Sequence, residues 1–223
     1  MKRIVREYNV YSFSELSKVA KEKVIQEFKN DEELSRIQQE FYKKDMTELI
    51  KLLGFNVEDF SYSLNFFQGD VTSFVTSTMY CEEVVKMLEN FKNGILKEKG
   101  YKMLSELMGV IHQRNDFSLI TDENMQLLKD FDFYFAIERT SHRYSHEFTI
   151  DIDVPYLEGT KEQNTVIQGI EKLIIGVART IMKEMEKIGY EWLYDDFMNE
   201  EEVKENCECN EYTFLEDGTM FNE

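Results

Sequence analysis

The chain has 223 residues, 42% hydrophobic and 13% aromatic, with 44 acidic against 26 basic side chains for a formal net charge of −18. That apolar share, rich in Phe, Tyr and Met, excludes a disordered polypeptide and suffices for one domain, or one domain with a small appendage. The charge repels nucleic acid and anionic membranes and favours basic partners, so direct nucleic-acid binding and membrane attachment are not expected.

In chain order, "REYNVYSF" alternates like a short strand, with Val5, Tyr8, Val10 and Tyr11 suited to a pleated surface. A helix follows, with Ser17 as N-cap and Val19, Ala20, Val24, Ile25 and Phe28 at helical spacing. A second helix is predicted over 32–53, its stripe formed by Leu34, Ile37, Phe41, Leu49 and Leu53 and its stop by Gly54. The period then changes. "FNVEDFSYSLNFF" alternates Phe60, Tyr62, Leu64 and Phe66 with small polar residues, and "VTSFVTSTMY" is rich in β-branched side chains. Together they predict a hairpin with Gly69 and Asp70 near its turn.

Helical patterns resume at "EEVVKMLENFKN" and "ILKEKGYKMLSELMGVIHQ". A second hairpin is predicted from "FDFYFAIE", with Phe131, Phe133, Phe135 and Ile137 on one face, and "HEFTIDIDV", with Phe148, Ile150, Ile152 and Val154 on one face. A long helix over 161–188, stopped by Gly189, carries a continuous apolar stripe and is expected to cover the sheet. In the tail, Asn199 caps a short helix with Glu202 as box partner, and "EYTFLEDGTMF" turns over Asp217 and Gly218. The expected fold is α+β: antiparallel hairpins forming a sheet covered by helices, a core over 1–190 and an acidic helix–hairpin appendage over 191–223.

Two stretches carry candidate chemistry. His142 and His146 stand four residues apart, which on a helix would aim both rings at one metal ion. Their surroundings are strand-like, and four extended residues span about 13 Å, so no metal is expected there. Were the "QGD" and "SHRYSH" ends to meet, Asp70, His142, His146, Arg139 and Arg143 would form a polar pocket for a nucleotide or for acid–base work. The plainer role for Asp70 is ordinary turn chemistry, and for the histidines hydrogen-bonded rim positions. Phosphate-loop, dinucleotide, nucleophile-elbow and zinc-protease signatures are absent, and no cofactor is expected. Cys81, Cys207 and Cys209 are odd in number, and with no apolar leader in "MKRIVREYNV" they read as reduced thiols in a cytoplasm.

Charge is unevenly placed: residues 191–223 hold twelve acids and one lysine, a net of −11. Aromatic side chains lie among them. Trp192 and Phe214, ringed by Asp195, Asp196, Glu200, Glu201, Glu202 and Asp217, form a candidate partner-binding surface. Duplex DNA carries a charge about every 1.7 Å, and a dense carboxylate array imitates it on a cationic groove. The plainer role for the acids is solubility, and for the aromatics packing the tail onto the domain.

The stretches "EYNVYSFSELSKVAKEKVI", "QGDVTSF", "HRYSH" and "NEYTFLEDGTMF" together resemble a family of small acidic phage and prophage proteins, some labelled antitoxins of a toxin–antitoxin stability system. Relatives tend to have glycine after the QGD, where this chain has Val71. The resemblance implies an accessory protein of a mobile element, made in a bacterial host cell, and carries no reaction with it. With the charge, it leads to the expectation of an inhibitor of host defence, anti-CRISPR-like, binding a basic CRISPR effector or other defence nuclease. The alternatives are the nucleotide pocket and an antitoxin neutralising a companion toxin.

Overall fold

A computed structural model describes residues 7–64, 71–94, 102–139, 150–154 and 158–221. It is mixed α+β, with seven α-helices and two antiparallel two-stranded ladders among the described residues. By packing, the chain groups into two units, one of residues 1–41 with 191–223 and one of residues 42–190.

The first unit holds α1 (Lys18–Lys29), the first turns of α2 (Glu32–Leu52) and α7 (Glu200–Cys209). Ser17 caps α1 as expected, its Oγ accepting from the Ala20 amide at 3.3 Å. Ala20, Val24 and Phe28 face inward and share one core with Phe13, Leu16, Val203, Cys207 and Phe214. Val19, placed on that stripe by spacing, is 76% exposed, because it lies about 100° round the helix from Ala20, off the Ala20–Val24–Phe28 row. Within "REYNVYSF", Tyr11 alone among the described residues pairs, with Phe214, through bonds of 2.8 and 2.9 Å. The closing hairpin turns at Gly218, whose φ of +83° favours glycine. A Cβ there would also lie 2.6 Å from the Ala20 carbonyl oxygen, so the hairpin seats directly on α1.

The second unit is built on β1 (Val57–Ser63) with β2 (Val71–Thr76), and β3 (Ala136–Arg139) with β4 (Ile150–Asp153). An isolated bridge, Met79 to Phe135, links the two ladders, and the Thr76 hydroxyl accepts from the Ile137 amide at 2.9 Å. β2 is buried at all but one position. Its polar side chains are satisfied there: Thr72 donates to the Met182 carbonyl at 2.5 Å and Ser73 meets Ser61 at 3.2 Å. Met182 belongs to α6 (Lys161–Tyr190), whose inward row of Ile170, Leu173, Ile174, Val177, Ile181 and Met185 matches the apolar stripe. Phe55 meets Phe74, Phe91 and Phe135 at ring separations of 5.4 to 6.5 Å, joining β2, α3 (Cys81–Asn93) and the residue before β3 in one core.

Several boundaries differ from expectation. α6 does not stop at Gly189 but runs to Tyr190, because Gly189 is buried where a side chain would strike Tyr42 and Leu64. A π-helical turn, Glu191–Asp195, follows. On α2 the buried residues are Tyr42, Met46, Leu49 and Ile50, while Ile37 and Phe41 are exposed. The buried Tyr42 hydroxyl is satisfied, donating to the Met185 carbonyl at 2.7 Å. α4 (Lys102–Arg114) matches its pattern, whereas α5 (Asp122–Asp130) was not predicted: it buries just Met125 and Leu128. Its C-terminus occupies the start of the expected strand at Phe131, and β3 begins at Ala136.

Candidate functional site

The carboxylates of the C-terminal segment are set by local structure first. Asn199 caps α7, its Oδ1 accepting from the Glu201 and Glu202 amides at 3.0 and 3.1 Å. Glu200, Glu201 and Glu202 therefore occupy the first turn, where the helix dipole favours negative charge. α7 turns Val203 and Cys207 into the core, which leaves those three glutamates in water. Asp195 ends the π turn and Asp196 follows it, both exposed, with the Asp196 amide donating to the Glu191 carbonyl at 2.8 Å. Asp217 sits in the hairpin turn and accepts from the Thr219 amide at 2.9 Å. That bond, helped by the Thr219 hydroxyl and Lys23, holds its carboxyl below the usual range.

The acids divide into two groups. Glu200 pairs with Lys21 and Asp217 with Lys23, each at 3.6 Å. Asp195, Asp196, Glu201 and Glu202 form no ion pair among the described residues. Glu205, Glu211 and Glu216 are likewise exposed and form no ion pair among the described residues. The aromatic anchors divide as well. Phe214 is 0% exposed and belongs to the core, so it offers a partner nothing. Trp192 is half-buried, with its carbonyl accepting from Gln38 at 3.5 Å. Tyr194 and Tyr212 are exposed in the same segment.

The Cys-x-Cys pair also splits, because residues two apart point to different sides of a helix. Cys207 is buried and Cys209 exposed. Burial pushes the Cys207 thiol up from its ordinary 9.0 to about 11. A raised thiol pKa means that the fold favours the neutral form, so this contribution is complete below the unfolded pKa and fades as pH climbs from about 9 towards 11. Unfolding followed by hydrogen exchange on α7 should show that alkaline loss, and Cys207→Ser should flatten it.

Asp70, His142, His146 and Arg143 lie outside the described residues. Arg139 is engaged on β1, donating to Ser61 Oγ at 2.5 Å and pairing with Asp59 at 3.5 Å. Because the Met79–Phe135 bridge is antiparallel, the end of β1 and start of β2 lie on the same side as the end of β3 and start of β4. The third histidine, His112, holds the Met108 carbonyl of its own helix at 2.8 Å. Among the described residues no group of three or more His, Cys, Asp and Glu could hold a metal ion, and no helix is long and apolar enough to cross a membrane.

Two cavities were not legible from sequence. One of about 510 Å³ is lined by Cys81, Glu82, Lys86, Glu89, Lys129 and Asp132. Its three acids are partly offset by two lysines, and burial pushes the Cys81 thiol up rather than activating it. The other, of about 230 Å³, lies between α1, α2, α7 and the closing hairpin, with Glu27, Phe28, Asp31, Leu34, Tyr212 and Met220 in its wall. No spacing rule collects residues from four elements.

The chain is thus an α+β protein whose C-terminal segment bears an open carboxylate surface. The profile of a family described as Domain of unknown function (DUF8835) matches residues 38–205, and the chain belongs to that family. No curated protein and no solved structure matches it.

Proposed function

We propose that this protein works by binding another protein, presenting the carboxylates of α7 and of the preceding turn to a basic, nucleic-acid-handling partner. The observation that carries this reading is that Asp195, Asp196, Glu201 and Glu202 are exposed with no ion pair among the described residues. An exposed ion pair gains only about 0–1 kcal/mol, so single contacts would be weak. A field of like charges raises the rate of encounter with a cationic groove and excludes acidic competitors. The finer reading is an inhibitor of a host defence nuclease, such as a CRISPR effector, encoded by a phage or other mobile element and acting in the bacterial cytoplasm.

The test is affinity capture from bacterial extract at two salt concentrations, with the native chain and with Glu201→Gln/Glu202→Gln/Glu205→Gln. Glutamine keeps helix propensity close to that of glutamate, so α7 should persist. The partner retained by the native chain should be lost at high salt, where the screening length falls to about 3 Å at 1 M, and held more weakly by the triple variant at low salt. Adding the native protein should also displace labelled duplex DNA from the captured partner. A partner held equally by the variant and unaffected by salt overturns the reading.

A further inference from the structure

We propose that the cavity between α1, α2, α7 and the closing hairpin receives one arginine side chain from a basic segment of the partner. This rests on the reading of the partner as basic and deepens it by naming the chemistry of the contact. The floor is apolar: Phe28 is 7% exposed, Leu34 and Met220 are partly buried against the same core, and the Tyr212 ring lies 6.4 Å from that of Phe28. Three exposed acids, Glu27, Asp31 and Glu33, complete the acidic part of its lining.

The three rim acids are not equivalent. Glu33 is held by Arg36 at 2.6 Å, and Arg36 also pairs with Glu40 at 2.6 Å, so that cluster has little left for a newcomer. Asp31 is fixed in place because its Oδ1 accepts from the Glu33 and Leu34 amides at 2.9 and 3.0 Å. Its Oδ2 makes no hydrogen bond among the described residues. Glu27 likewise makes no ion pair among them. Two carboxylates therefore flank an apolar slot.

An aliphatic stem beneath a cation matches that arrangement, since long basic side chains lay their methylenes on apolar surface and keep the charge at its edge. Volume separates this occupant from a small molecule: at about 230 Å³ the cavity falls short of the 300–1,000 Å³ usual for ligand pockets. Arginine is favoured over lysine by the exposed Tyr212 ring, because a planar guanidinium stacks on an aromatic face while bonding carboxylates at its edge. All of the lining residues lie outside the family match at 38–205.

The test is an amide-resolved NMR titration of the full chain with N-acetyl-arginine methylamide, compared with the norleucine analogue, which keeps a stem and lacks the cation. The arginine probe should shift the amides of Phe28, Leu34, Asn206 and Tyr212 and bind about tenfold more tightly than norleucine, as befits a charge-assisted contact. Glu27→Gln/Asp31→Asn should remove that advantage. Asparagine caps a helix as well as aspartate does, so α2 should keep its start, which circular dichroism would verify. Equal binding of the two probes, shifts confined to α7, or full binding by the double variant overturns the proposal. So does concentration-dependent self-association that the double variant abolishes, which would make a second copy the occupant. The titration needs no partner, so its outcome is separate from that of the capture experiment.

Discussion

Valine at position 189 is expected to destabilise the 42–190 unit by about 3–5 kcal/mol, summing an overpacking term and a lost buried hydrogen bond. Gly189 lies in the last turn of α6, buried, and a Cβ there would meet Leu64, with the Tyr42 hydroxyl 2.7 Å away. Leu64 ends in a flexible methyl that can shift. Tyr42 cannot do so cheaply: it is 0% exposed, touches the rings of Phe60 and Tyr62, and its hydroxyl donates to the Met185 carbonyl. The larger side chain must push Tyr42 off that carbonyl or bend the helix. Burial already drives the Tyr42 hydroxyl far above its usual pKa, so ionisation offers no escape. Typical domains are stable by only 5–15 kcal/mol, and a loss of this size should be plain in denaturant titration and in faster amide exchange along α6 and β2. Gly109 is the control: it is exposed on α4 with nothing within 4 Å, and Gly109→Ala should gain about 0.5–1 kcal/mol.

Alanine at position 218 is expected to free the closing hairpin from α1 at a cost of about 3 kcal/mol, joining the 1–2 kcal/mol of a left-handed residue with a Cβ to a backbone collision. The collision is the decisive part. The atom met at 2.6 Å is the Ala20 carbonyl oxygen, which is main chain inside a helix and cannot rotate away. Amide exchange should quicken on α1, α7 and the hairpin, where Phe214 would lose its place beside Val24 and Phe28. The arginine slot depends on that hairpin through Tyr212 and Met220, and Asp217 in its turn is paired with Lys23. Gly218→Ala should therefore weaken capture of the partner even though it removes no charge. Unchanged exchange and capture would mean that α1 yields more easily than its packing implies.

Much of the fold was legible because the periods were long. The 3.6-residue stripe of α6, the Ser17 and Asn199 caps and the turn at Asp217 and Gly218 each rest on local chemistry that neighbours in sequence fix between them. What escaped was tertiary. α5 carries two buried residues, too few for a period to register. On α2 the stripe placed Leu49 and Leu53 inside but also Ile37 and Phe41, which are exposed, and it missed Tyr42, whose hydroxyl reaches the Met185 carbonyl. Alternation placed Phe214 in a hairpin but not on a side, and α1 and α7 close over it. The candidate surface followed the same rule: the run of acids was visible, while the pairing of Glu200 with Lys21 and of Asp217 with Lys23 needed the fold.

The span shared with the family begins inside α2 and ends inside α7. A polypeptide trimmed to that signature would keep Val203 but forfeit Phe13, Ala20, Val24, Phe28 and Phe214, and its short terminal helix would present an oily ridge to water. Residues outside the matched span thus supply most of the apolar side chains against which Val203 packs.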